Sequence, residues 1–359
     1  MSTIEFTIVM PVRNGANYIE STLKGVLGQR YQHFRIIILD NASEDDTFDI
    51  IKRLNDSRIT VIRSDSPLSI EDNWGRILDL DINGYMVLLC HDDLLYDHFL
   101  DDIVSLILRF PDASLYHTHC RFTGADGKTI RMCWPVPLTE TADEYLDRVH
   151  HFAEDFLGSG YVMRFSDFKA VGGYPKRYPR LNLADLVCYV SLTRLSYKAC
   201  SPSVAYDFLR HAQSAGHKSN LDHFVKAAQI YIHDLGETGY LDDSENKLLV
   251  YNYLLNVIVR PHYRMALYYS VKSAHDREAH LAECHRLKDM LEAATAKDPM
   301  FNVRTRAIRF YEWINSIEPA FVRKIAYYLS KYSLKTLLSF QSLINLMSGA
   351  DRKSISQLR

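Results

Sequence analysis

Short apolar runs alternate with helical periodicity through the first hundred residues. Phe6 to Met10 is one such run, and after Asn14 and Gly15 the positions Ile19, Leu23, Val26 and Leu27 recur at helical spacing. A second cycle follows. Ile36 to Leu39 reads as a buried strand, Ser43 suits the cap of a helix carrying Ile50, Ile51 and Leu54, and Ile59 to Ile62 reads as the next strand. A helical pattern from Trp74 to Leu80 leads into a fourth apolar run, Tyr85 to Cys90. This β-α-β-α-β order predicts a mostly parallel sheet covered by helices.

After His91-Asp92-Asp93 a helix is predicted through Leu100, Ile103 and Leu106 to Phe110, then a strand near Leu115 to Thr118, and a hairpin turn at Ala125 to Lys128. A charged amphipathic helix is expected from Thr139, and Ser166 and Gly172 bracket a short one. Asn182 is expected to start the helix that carries Asp185 and Leu195. Beyond about residue 215 long helical periodicities replace strand signals. We therefore expect one α/β domain over residues 1–215 and a helical C-terminal domain over 216–359. The latter includes Tyr251 to Val259, a charged helix from Asp276 to Ala293 and a basic, aromatic stretch from Arg304 to Lys335.

Composition narrows the class. With 47% hydrophobic and 24% charged residues in 359, the chain has apolar content for a substantial core and no disordered signature. A formal net charge of -2 argues against nucleic-acid binding, which needs a basic face. The six cysteines show no CxxC spacing, so neither a disulfide framework nor a zinc ribbon is expected, and a cytoplasmic location fits. The first segment carries Glu5 and breaks at Pro11, which suits a strand rather than a signal peptide. No apolar run reaches the roughly 18 residues that span a bilayer. Membrane association would be peripheral, on the inner face.

Candidate chemistry lies where ligands bind open parallel sheets, beyond the carboxyl ends of strands. The first strand ends in Pro11-Val12-Arg13-Asn14, the second in Asp40-Asn41-Ala42-Ser43, and the fourth in His91-Asp92-Asp93, while Glu71 and Asn73 precede Trp74. Asp40 can accept hydrogen bonds from a base edge or a ribose hydroxyl. Local alternatives are turn chemistry at 40–43, capping of a helix near Leu94 by Asp92 and Asp93, and a first-turn pair of Asn182 with Asp185.

These segments, in this order and spacing, resemble glycosyltransferase family 2, whose members invert the anomeric centre and share the GT-A fold. The resemblance rests on Ile8 to Gly15, Leu39 to Asp45, Asn73-Trp74 with Gly84-Tyr85, His91-Asp92-Asp93, Val171 to Tyr174 and Ala184-Asp185, and it covers about the first 215 residues. It implies an α/β, GT-A-like sheet flanked by helices and sugar transfer from a nucleotide-sugar donor to a saccharide or lipid-linked saccharide. The setting implied is cell-surface polysaccharide or lipopolysaccharide biosynthesis, with Mg²⁺ or Mn²⁺ assisting.

The resemblance also assigns roles. Asp185 is the base that deprotonates the acceptor, Asp93 a metal ligand, and Asp92 a ribose contact or outer-shell partner of the cation. Pro11, Arg13, Asn14, Asp40, Asn41, Asn73 and Arg76 line the nucleotide-sugar site. His211 supplies a metal-ligand nitrogen or Arg210 holds phosphate. Three positions depart from the family pattern: His91 stands where the first acid of its DxD motif often lies, Asn41 where many UDP-sugar users carry a second acid, and Ala184 where an acid often precedes the base. Gly158-Ser159-Gly160-Tyr161 and Trp134 are weaker sugar-contact candidates, set against ordinary turn and core roles.

Rival classes fit less well. A sugar nucleotidyltransferase needs a Gly-rich basic first loop, a dinucleotide oxidoreductase needs GxGxxG after the first strand, and a non-catalytic nucleotide-sugar-binding module would keep the fold without turnover. In the tail, seven basic residues from Arg304 to Lys335 stand among seven aromatics. That mixture suits an anionic bilayer surface, and equally helices packed on the catalytic domain or on another subunit of a homo-oligomer.

Overall fold

The computed structural model describes residues 3–211 and 221–259, with positions 278, 281–282, 284–286 and 289 beyond them. The chain divides into two compact units, Met1–Ser219 and Asn220–Arg359. The first unit opens with β1 (Phe6–Val12), α1 (Ile19–Leu27), β2 (Phe34–Asp40), α2 (Thr47–Leu54), β3 (Ile59–Arg63), α3 (Ile70–Gly75) and β4 (Tyr85–Leu88). Between α3 and β4 a 3-10 turn covers Arg76–Asp79. All seven positions of β1 are buried, as strands covered by helices on both faces require.

The unit continues through β5 (Leu94–Leu95), α4 (Phe99–Arg109), β6 (Leu115–Gly124), β7 (Thr129–Met132), β8 (Thr139–Glu140), α5 (Ala142–His150), β9 (Tyr161–Arg164), α6 (Phe165–Ala170), α7 (Ala184–Leu195) and β10 (Lys198–Arg210). One mixed sheet holds them in the order β3-β2-β1-β4-β9-β6-β10-β5, with β7 on β6 and β8 on β10. β3, β2, β1 and β4 are mutually parallel, and β9 runs against β4 with Tyr161 opposite Leu88. The carboxyl ends of β2, β1 and β4 therefore lie side by side, and the start of β9 meets the end of β4. That meeting point is where the site forms.

The core joins the sheet to α1, α2 and α4 through Ile19, Leu23, Val26, Ile50, Ile51, Phe99, Leu100, Ile103, Leu106 and Ile107. Burial of a side chain of this size is worth ~1.5–3 kcal/mol, so these helices are held by their apolar stripes rather than by propensity. A second buried region is polar. Lys198 is fully buried, with its ammonium 2.6 Å from Glu140 Oε2, against Glu154 Oε1 and over the Tyr145 ring.

Several expected helix starts move. Thr139 lies in β8, and α5 begins after a capping box formed by Thr141 and Glu144. Ser166 is inside α6, which starts at Phe165, while Gly172 at φ +79° does follow its end. Ser43 does not cap α2, because Asp46 precedes that helix and the Ser43 hydroxyl accepts the N–H of Asn14. No helix begins at Leu94: β5 is there, and His98 stands before α4, so Asp92 and Asp93 are not capping residues. Asn182 does not cap α7 either. Its amide donates to Pro179 O at 3.0 Å, and Leu183 holds the cap position at φ +67°.

In the second unit α8 (Leu221–Glu237) is followed by a 3-10 turn (Tyr240–Asp242) and by α9 (Ser244–Leu254), which runs into a π-helical turn at Leu255–Val259. Asp243 caps α9 by accepting the N–H groups of Glu245 and Asn246. Among the described residues no helix is long and apolar enough to cross a membrane. The basic aromatic stretch from Arg304 to Lys335 lies outside the described residues, as does most of the charged segment from Asp276 to Ala293.

Candidate active site

The site starts where β1 outruns β4. Leu89 N–H bonds to Val9 O at the last rung between them, and two residues further on Pro11 has no N–H to continue the ladder. β1 stays paired with β2 to Val12 and Asp40, so a cleft opens on one side of β1 only. The loop that follows is laced to the β2–α2 loop. Asn14 N–H donates to Ser43 Oγ (2.9 Å), Asn14 Oδ1 accepts Glu44 N–H (2.9 Å), and Gly15 N–H donates to Thr47 Oγ1 (2.8 Å). Asn14 sits at φ +54°, which its short polar side chain tolerates. Gly15 is required by proximity: a Cβ there would stand 2.6 Å from the His91 ring. Arg13 is exposed, 4.0 Å from Glu44.

Asp40 is fully buried at the end of β2. Its Oδ1 accepts Ser43 N–H at 3.1 Å, while Oδ2 faces Arg63 Nε at 3.3 Å without a hydrogen bond. Asn41 is spent on the protein itself. Its Oδ1 accepts Leu68 N–H (2.7 Å) and its amide nitrogen donates to Leu68 O (3.0 Å), so it pins the approach to α3 instead of presenting its amide to a base. Asn41→Asp is therefore expected to leave Leu68 O without its donor and set a carboxylate against it, a loss of about 1–3 kcal/mol in a denaturant melt.

Arg76 is likewise occupied. Its guanidinium donates to Ile62 O (2.7 Å), Asn73 Oδ1 (2.9 Å) and Asp40 O (3.5 Å), and Asn73 Nδ2 reaches Leu39 O at 3.5 Å. Both expected phosphate or nucleoside contacts instead tie α3 to the ends of β2 and β3.

The acidic loop closes the cleft from the β4 side. Asp92 Oδ2 lies 2.7 Å from His211 Nε2, and the Tyr18 ring packs on the His211 imidazole at 4.6 Å between centroids. Asp93 is buried; Oδ1 accepts Leu209 N–H at 2.8 Å, and Oδ2 has no hydrogen-bond partner. Burial first, and the neighbouring Asp92 charge second, push the Asp93 carboxyl well above the usual carboxylate range. The structure thus brings His211 to Asp92 rather than to Asp93. Arg210 is exposed at the end of β10.

Cys90 is a participant that the sequence reading passed over. Its Sγ and the carboxylates of Asp92 and Asp93 offer ligand atoms all within 4.8 Å of one another. The thiol donates to Gly158 O at 3.3 Å, its N–H bonds to Ser159 Oγ at 3.0 Å, and burial raises its pKa. Two adjacent acids, one with an orphaned buried oxygen, beside an imidazole fit a divalent cation with oxygen and nitrogen donors. A cation there would favour the ionised form of Asp93 that burial and the Asp92 charge disfavour.

Asp185 lies across the Gly158-Ser159-Gly160 segment from this loop. A Cβ on Gly158 would be 3.7 Å from the Trp74 ring and 3.8 Å from Asp185 Oδ2, and Gly160 N–H bonds to Leu88 O at the end of β4. As an acid in the first turn of α7, Asp185 enjoys a favourable helix dipole, and Oδ1 accepts Leu186 N–H at 2.9 Å. Desolvation nevertheless dominates and lifts the carboxyl to about 6. It remains only partly buried, with aromatic neighbours Trp74, Tyr174 and Tyr189 linked ring to ring. Trp134 is half exposed on the strand edge beyond β7, and its backbone N–H donates to Asp155 Oδ2 at 3.1 Å.

The family model for glycosyl transferase family 2 matches residues 7–169. An uncharacterized glycosyltransferase of Rickettsia typhi is 25% identical over 141 residues, 39% of this chain and 43% of its own length. The Escherichia coli UDP-Glc:alpha-D-GlcNAc-diphosphoundecaprenol beta-1,3-glucosyltransferase WfaP is 40% identical over 58 residues, 16% of this chain and 23% of its own. The match thus spans less than half the length of either relative. Among solved structures, Staphylococcus aureus TarS 1–349 in complex with UDP-GlcNAc superposes with a TM-score of 0.62 over 86% of this chain and 92% of its own, at 12% identity. Residues 7–169 are thus similar to glycosyltransferase family 2, and the fold that carries them is GT-A-like.

Proposed function

We propose that the chain is an inverting, metal-assisted glycosyltransferase that moves a sugar from a nucleotide-sugar donor to a saccharide or lipid-linked saccharide in cell-surface polysaccharide biosynthesis. One observation carries the reading: a carboxylate with its pKa near neutrality, Asp185, stands one glycine segment away from paired acids closed by an imidazole. An inverting displacement needs those two functions on opposite sides of one carbon.

Asp40 receives the nucleoside at the end of β2. Asp92 and His211 would hold the cation, with Asp93 Oδ2 and Cys90 beside them. A bound Mg²⁺ or Mn²⁺ would supply positive charge against the diphosphate as it departs. Asp185 takes the proton from the acceptor hydroxyl as its oxygen bonds to the anomeric carbon and the bond to the diphosphate breaks, with the electron pair leaving on the diphosphate. Arg13 and Arg210, both exposed, would meet phosphate oxygens. The lipid-linked option follows the acceptor named for WfaP, and the basic aromatic stretch from Arg304 to Lys335 suits an anionic membrane on the cytoplasmic side.

The test is release of nucleoside diphosphate from a panel of nucleotide-sugars, with Mn²⁺ or with chelator, in the presence of membrane-derived acceptor. Release that needs cation and acceptor supports transfer. Tight donor binding with no release under any condition would make the chain a binding module.

A further inference from the structure

The helix α3 is fastened to both halves of the site. Toward the nucleotide side, Asn41 holds Leu68 by two hydrogen bonds, Ser69 caps the helix, and Arg76 grips the ends of β2 and β3. Toward the acceptor side, Glu71 Oε1 accepts Arg180 N–H at 2.6 Å, Asp72 meets Lys176 Nζ at 3.2 Å, and Trp74 stands edge-on to Tyr174 at 5.1 Å. The segment so held is unusual. Arg180, Leu181 and Leu183 have φ of +58°, +57° and +67°, three non-glycine residues in the left-handed region within four positions, directly before Ala184-Asp185. Such backbone persists only where its surroundings over-determine it, and it clusters where side chains must be aimed.

We propose that Glu71 is a positioning residue: by accepting Arg180 N–H it fixes the left-handed run that aims Asp185, and through α3 it ties the aim of the base to the nucleotide end of the cleft. The inference rests on Asp185 being the base. Glu71 Oε1 is engaged by Arg180 N–H, and the group of ligand atoms at Cys90, Asp92 and Asp93 does not include it, so its loss is expected to act on turnover rather than on donor binding.

The experiment uses the full chain with Glu71→Ala, Glu71→Met and Glu71→Gln, and reads kcat and donor KM separately. Ala and Met offer no acceptor to Arg180 N–H, and Met keeps the aliphatic reach, so one comparison survives if the Ala variant does not fold. Both are expected to lose roughly 10- to 100-fold in kcat, the scale of a misplaced catalytic group, with donor KM within about threefold of the parent. Gln, whose amide oxygen still accepts, is expected to recover to within about threefold. Gln as impaired as Met, kcat unchanged in all three, or donor KM rising as much as kcat falls would each overturn the proposal. Asp185→Asn run alongside separates the two ideas. If it transfers normally, the base assignment fails; if it is inactive while Glu71→Met is normal, only the positioning role fails.

Discussion

Asp185→Asn is expected to lower kcat for sugar transfer by about 10²–10⁴-fold, the usual contribution of a positioned general base, while making the protein more resistant to heat at pH 7.5. The second half follows from proton linkage. Burial lifts the folded-state carboxyl to about 6, whereas an unfolded chain ionises near ~3.9. The folded state therefore holds that proton more tightly. The stabilisation is complete below about pH 4 and is lost as pH climbs through about 6. An amide carries no charge to desolvate, so at neutral pH it keeps on the order of 1–2 kcal/mol that the aspartate forfeits, after allowance for its partial exposure. Melting should rise by a few degrees. The parent enzyme should show kcat/KM falling on the acid side of about pH 6, and the variant should lack that limb. Loss of turnover together with a gain in stability separates a missing base from a damaged fold.

The second large effect belongs to the Asp92–His211 pair. Asp92→Ala or His211→Ala is expected to weaken Mn²⁺ binding by at least ~10–100-fold and to reduce kcat by roughly 10²–10³-fold at fixed cation. Raising Mn²⁺ should recover part of the His211→Ala activity, since a lost neutral ligand is compensated by mass action more readily than a lost charge. Asp93→Asn tests the neighbouring acid. Its carboxyl is held above the normal range by burial and by Asp92, so removing the charge should stabilise the metal-free protein at neutral pH and shrink the thermal shift that Mn²⁺ produces. Thermal melts with and without Mn²⁺ on the three variants give these results in one series.

The parallel half of the sheet was legible because its strands are buried on both faces and their helices carry apolar stripes at regular spacing: β1, β2, α1 and α4 follow directly from positions such as Ile8, Ile36, Leu23 and Ile103. The later strands β8, β9 and β10 were not. β9 is four residues long and β8 two, too short for periodicity to register, and β10 alternates only weakly because it starts on a buried lysine. At the site, strand-end position pointed to Asp40, Asp92 and Asp93, whereas Asp185, in the first turn of a helix, was marked only by the family resemblance. What chain order cannot disclose is how polar groups divide their bonds. Asn41 and Arg76 sit in the right loops, yet their hydrogen bonds go to Leu68, Ile62 and Asp40 backbone atoms. Cys90 was read as the last residue of a strand, and its place beside both acids becomes visible only when Gly158 and Ser159 are brought to the end of β4. Glu71 was noticed for its loop, but its partner Arg180 is 109 residues away.

The most direct measurement is a calorimetric titration of the full chain with UDP, GDP, CDP and TDP, each with Mn²⁺ and with chelator. The account predicts saturable, cation-dependent binding with one nucleotide preferred, and loss of that binding in Asp92→Ala. Absence of heat from all four nucleotides in the presence of Mn²⁺, or equal binding by the parent and Asp92→Ala, would contradict it.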